Sequence, residues 1–180
     1  MNVMKKICSL LLALIIISAG AMAQSKKEIR EGERMARYIT AVQALKTKKF
    51  GLASDSFSVK PYGTPYSTDN VTRSFIGFEG DFLVMKGLLF TPSGSKHRFV
   101  VSNYEVKVDK KGNVRAEFDY KGLNNSGTVT IYMKAGNNYA DVNIRRNVNS
   151  PYYNRSLSLM GDILPAETFN FEEDTEIHKL

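Results

Sequence analysis

Between residues 100 and 164 apolar side chains recur at every second position, in runs too short for helices and divided by turn residues. The clearest run sets Val114, Ala116, Phe118 and Tyr120 against Arg115, Glu117, Asp119 and Lys121. A period of two puts one row on each face of a pleated strand, so this is a strand buried on one side only. Upstream, Val100, Tyr104, Val106 and Val108 fall on one face with Ser102 between them. Downstream come the β-branched and aromatic run Thr128 to Met133, then Ala140, Val142 and Ile144 alternating with Asp141, Asn143 and Arg145. Arg155 to Leu164 closes the series, with Leu157, Leu159 and Ile163 on one side and Gly161 in register.

The pattern extends towards the amino terminus. Phe50 to Val59 reads as a first extended segment, and residues 60–66 as a loop marked by Pro61, Gly63 and Pro65. Residues 73–78 and 82–85 flank Glu79-Gly80-Asp81, a hairpin connection. Leu88-Leu89-Phe90 continues the apolar run to a turn at residues 91–95. Further turns fall at 109–113, 122–127 and 134–138, each built on Gly and Asn. Short turns join antiparallel neighbours, so the chain predicts a meander of about eight strands. Such a sheet must hide its edges. The expected fold is α+β and mainly β: an N-terminal helix packed on a strongly curved antiparallel sheet, a lipocalin-like or partly open barrel, with a two-layer sandwich as the alternative.

The helix is expected over residues 28–48. Ile29, Met35, Ala36, Ile39, Val42 and Leu45 mark an apolar stripe that Tyr38 widens, and Lys27, Glu28, Arg30, Glu31, Arg34 and Arg37 fill much of the other face. Before it, Lys5 and Lys6 precede an apolar run from Ile7 to Ile17, and Ala21-Met22-Ala23 supplies small residues before Gln24. This is the layout of a cleaved secretory leader, too short for a membrane span of roughly 20 residues. The domain reading is therefore a leader at 1–23, one β-rich domain at 24–165 and a flexible acidic tail at 166–180. The single Cys, Cys8, lies inside the leader, so the exported chain relies on its core rather than on disulfides.

The formal charge is +7 over the whole chain, and loss of Lys5 and Lys6 lowers it by two. Glu167, Glu172, Glu173, Asp174 and Glu176 crowd the last residues, which leaves the body more basic than the total suggests. Weak attraction to anionic partners follows, while an export signal argues against nucleic acid.

The order of segments carries a resemblance. Residues 44–50 (Ala-Leu-Lys-Thr-Lys-Lys-Phe) end the helix, and Phe75-Ile76-Gly77-Phe78-Glu79-Gly80-Asp81 follows. Then Val101-Ser102-Asn103-Tyr104-Glu105-Val106 precedes Lys110-Lys111-Gly112-Asn113, and Asn154 to Pro165 closes the set. Together with the leader, this resembles the DUF4251 family of exported proteins from Bacteroides and relatives, over residues 35–165. The resemblance implies a Gram-negative envelope location, periplasmic or secreted, and nothing catalytic.

The chemistry-bearing residues are sparse. His97 and His178 are the two histidines, short of the three or four ligands of a zinc site. Glu79 and Asp81 flank a turn glycine, which reflects hairpin geometry rather than a catalytic pair. No serine sits in a Gly-x-Ser-x-Gly elbow and no glycine-rich phosphate loop is present. The expectation is no catalytic residue, no cofactor and no metal.

The aromatics are the better candidates. Tyr62 and Tyr66 share one Pro/Gly loop, and Tyr152 and Tyr153 follow Pro151 in another. Tyrosine offers a flat apolar face and a hydroxyl, suited to sugars and protein interfaces. If the loops converge, these four form a rim with Arg145, Arg146 and Arg155 nearby. The expected function is a noncatalytic cell-envelope binding module, through that rim or an internal cavity, for an envelope protein, a glycan or a small apolar ligand. The alternative is a structural or assembly protein acting through its helix or an open sheet edge. A hydrolase is the remaining class.

Overall fold

The computed structural model describes residues 26–59, 65–67, 74–87, 95–123, 125–147, 156–169 and 171. The proposed leader lies outside them. The chain divides into two units, Met1–Ala36 and Arg37–Leu180. In the first, residues 26–36 are helical and exposed. The helix, α1, runs over residues 26–46, and its last turns belong to the second unit. Among the described residues no helix is long and apolar enough to cross a membrane.

The second unit is built from β1 (Phe50–Ala53), β2 (Ser56–Val59), β3 (Pro65–Ser67), β4 (Phe75–Glu79), β5 (Phe82–Lys86), β6 (His97–Val108), β7 (Val114–Lys121), β8 (Ser126–Met133), β9 (Tyr139–Arg146), β10 (Ser156–Asp162) and β11 (Leu164–Pro165). β4 to β9 form an antiparallel meander in which each strand pairs with the next. Two bent strands join its ends. β1 pairs with β4 on one side and β11 on the other, and β2 pairs with β10. The registers agree to within one residue, Gly51 opposite Leu164 and Ser56 opposite Met160. Between them the Asp55 N–H donates to the Met160 carbonyl at 3.0 Å. Counting β1 with β2 and β10 with β11, the sheet therefore curls round on itself as a nearly closed barrel rather than splitting into a sandwich. β3 pairs with β2 as a short flap, so Tyr66 lies in a strand and not in the expected loop. The meander is interrupted in one place: β5 meets β6 only from His97 to Phe99, opposite Met85 to Leu83.

The barrel interior is filled by its own side chains. Leu52, Ile76, Leu83, Ile131, Val142 and Leu159 are each fully buried in one cluster. The end carrying the β4–β5, β6–β7 and β8–β9 turns is covered by the last turns of α1, from residue 37 on. Ala41 and Leu45 are fully buried there, and Tyr38 donates its hydroxyl to the Gly112 carbonyl. The contact stripe is thus Tyr38, Ala41, Val42, Ala44 and Leu45, while Ile29, Met35 and Ile39 are exposed. The stripe expected from sequence is rotated: Ala41 and Ala44 take inward places beside Leu45, and Ile39 is left exposed. Lys48 closes the helix in the left-handed region at φ 56°. The N–H of Lys49 reaches the Ala44 carbonyl at 2.9 Å, the backbone pattern of a Schellman cap.

Two further expectations are corrected. Val100 does not share a face with Tyr104 and Val106. A bulge between Ser102 and Glu105, with Asn103 at φ 54°, sets two residues of β6 against one of β7 and inverts the alternation. Val100 is therefore 63% exposed, and Phe99 takes the inward place. The tail does not begin at 166. Ala166–Thr168 form a 3-10 turn, held by the Ala166 N–H on the Lys49 carbonyl at 2.9 Å. Phe169 and Phe171 then bury themselves against Phe75 and Val84 on the barrel's outer wall. Glycine makes this possible, since a Cβ on Gly51 would stand 2.2 Å from the Phe169 ring and one on Gly77 2.9 Å from that of Phe171. Residues 172–180 lie outside the described ones.

Candidate functional site

The opposite end of the barrel is the candidate. Leu157 pairs with Val59 and Ser156 with Arg145. The strands that lead into the two tyrosine-bearing segments therefore end side by side. Tyr62, Tyr152, Tyr153 and Arg155 themselves lie outside the described residues, as do their contacts.

On β9, Ala140, Val142 and Ile144 are buried and face inward. The alternation carries Arg146 to the same side at the mouth, while Arg145 is outward and exposed. The two arginines expected to share a rim thus face opposite ways. Arg146 is half-buried. Gly127 of β8 stands between it and Tyr120 of β7, opposite Arg146 on one side and Tyr120 on the other. A Cβ there would lie 2.0 Å from the Arg145 carbonyl oxygen and 2.9 Å from the Tyr120 ring and hydroxyl. The missing side chain lets guanidinium and phenol meet across the strand.

Arg146 is hydrogen-bonded to the Tyr120 oxygen. Tyr120 in turn donates to Oδ1 of Asn125 at 3.3 Å. Burial pushes the Tyr120 hydroxyl up to about 12, against the pull of the Arg146 charge. Burial likewise holds Arg146 below its ordinary value, with Tyr120 opposing. Phe99 packs edge-on against Tyr120 with ring centroids 5.1 Å apart. The result is a half-buried cation on an aromatic floor, beside the buried apolar cluster. Tyr120, Gly127 and Phe99 were not nominated from sequence. Their signal is the pairing Tyr120–Gly127–Arg146, which needs the register of three strands.

The other candidates are placed as follows. Glu79 accepts hydrogen bonds from Arg98 at 2.6 and 3.1 Å and from Lys96 at 3.2 Å. The Arg98 hydrogen bond leads in holding its carboxyl below the usual range. Gly80 turns the hairpin at φ 61°, so the Glu79-Gly80-Asp81 sequence is a structural corner. His97 is exposed at the start of β6. Among the described residues no three His, Cys, Asp or Glu side chains gather as a metal site would require.

Fold and site together define the class: a nearly closed β-barrel of antiparallel meander topology around a buried apolar cluster, with the last turns of a helix packed at one end. No family model matches the chain, and no curated protein is significantly similar to it. Among solved structures, the crystal structure of a DUF4251 family protein from Bacteroides eggerthii DSM 20697 has the same fold, with a TM-score of 0.60 at 23% identity. The match covers 78% of this chain and 95% of that one. The likeness shows a shared fold and supports the DUF4251 resemblance carried by the residue motifs.

Proposed function

We propose that the chain is a noncatalytic binding module of the Gram-negative cell envelope, periplasmic or secreted after cleavage near Ala23, whose binding surface is the barrel end that carries Arg146. The observation that carries this reading is Arg146, a guanidinium half-buried beside Tyr120 and Phe99 at that end. A charge in such a place is costly unless it has partners, and a guanidinium is the side chain best shaped to hydrogen-bond a carboxylate. The guanidinium at the barrel end favours a charged ligand over a small apolar one. In the sequence Tyr62 and Tyr66 follow β2, and Tyr152 and Tyr153 precede β10, and stacking on tyrosine suits a sugar. The ligand proposed is therefore an anionic glycan.

The test is calorimetric titration with a carboxylated oligosaccharide, oligogalacturonate, and with a neutral one of equal length. Binding of the acidic sugar, weakened about tenfold by Arg146→Gln, is expected for one lost charge-assisted contact. Absence of binding, or equal affinity in the variant, contradicts the reading.

A further inference from the structure

We propose that two copies of this chain associate through the edge of β6 that lies beyond its pairing with β5, aligned antiparallel about Val106. β6 is twelve residues long, yet its pairing with β5 stops at Phe99. Among the described residues no strand adjoins that edge from Ser102 to Val108. The place where β5 leaves is marked by a groove of about 470 Å³ lined by Thr47, Lys48, Lys49, Asp81, Phe82 and Val100.

The phase of the backbone hydrogen bonds decides which groups this edge presents. Asp109 donates to the Asn113 carbonyl at 2.9 Å, so residues 109 and 113 form a hydrogen-bonded pair. In an antiparallel ladder such pairs alternate. Lys107 with Arg115 and Glu105 with Glu117 are then bonded pairs as well. The N–H and C=O groups of Val106 and Val108 consequently point away from β7, towards the open side.

A second copy of the same edge fits this phase. With Val106 on the two-fold axis, its N–H and C=O meet their own equivalents, and Val108 meets Tyr104. Glu105 then stands opposite Lys107 of the other copy, twice over, at non-hydrogen-bonded positions where side chains lie closest. Both side chains are exposed on the outer face and already pair within one chain at 2.8 Å. A two-fold contact needs a self-complementary strip, and a Glu-Val-Lys strip is one. The bulge at Asn103 bounds it on one side and the β6–β7 turn on the other. The exposed Phe82, Val100 and Val108 flank it.

The experiment is sedimentation velocity on the full chain expressed with its own leader, up to about 1 mM, the weakest affinity worth a specific contact. Three proteins are compared: the unaltered chain, Lys107→Glu, and the double swap Glu105→Lys with Lys107→Glu. Both positions are exposed, and far-UV dichroism checks that each variant keeps its fold. The proposal expects a concentration-dependent dimer, a dissociation constant raised about tenfold by Lys107→Glu, which sets like charges opposite each other, and recovery in the double swap. A chain that stays monomeric throughout overturns it, as does a dimer that Lys107→Glu leaves unchanged or the double swap does not restore.

Discussion

A single glycine shapes the candidate site. Gly127 lacks the Cβ that would strike Tyr120, and so Tyr120 and Arg146 share one position across β8. The sequence singles out Arg145 and Arg146 equally, because composition near a loop says nothing about direction. Only the register of β9, with Ile144 buried, separates the inward arginine from the outward one. Glu79 illustrates the opposite case, since its place beside Gly80 already reads as a hairpin corner. Its carboxylate bridges Arg98 and Lys96 across the outer wall. Because the folded state holds its pKa down, Glu79 adds stability above the usual carboxylate range and loses it as pH falls through its depressed value. Glu79→Gln should therefore cost no more than about 1 kcal/mol at pH 7, the pair being partly exposed. The gap from the unaltered protein should close in strong acid, as urea melts at the two pH values would show.

At the scale of elements, the strands with clean alternation were legible. β7 and β9 fall where period two places them, and the 109–113 turn is held as its residues suggest. Both oxygens of Asp109 accept hydrogen bonds, from the N–H groups of Lys111 and Asn113 and from the Asn113 amide. β6 was misread because one left-handed residue, Asn103, inverts its faces midway, and parity counted along the chain cannot register an extra residue. The C-terminal segment was misread because acidic residues dominate its composition. Two phenylalanines two apart carry the information instead, and they dock only because Gly51 and Gly77 leave the wall bare. Phe169→Ala should lower stability by about 3 kcal/mol, the usual loss for a buried phenylalanine. Gly51→Ala should destabilise by about 1–3 kcal/mol, as overpacking does. Thermal or denaturant melts measure both. As the docked segment runs on from β11, away from Arg146, neither change should alter binding at the Arg146 end.

For the molecule as a whole, the number and order of strands could be counted from turns, since a meander makes only local pairings. Closure could not. It depends on two bent strands, broken at Ser54-Asp55 and at Ile163, that meet from opposite ends of the sequence. Nothing in local periodicity distinguishes such a seam from two free edges. Closure is also what assigns the ends their roles, with the last turns of α1 at one end and Arg146 beside Tyr120 at the other. The central claim is that this second end, and not the interior or the helix-covered end, receives the ligand. The most direct test is a nitrogen–proton correlation spectrum of the chain titrated with oligogalacturonate. The account predicts shifts gathered at Tyr120, Gly127, Arg146 and Leu157. Shifts gathered instead at Ala41, Leu45 and Gly112, or at Phe118 and Ile131 inside the barrel, would contradict it.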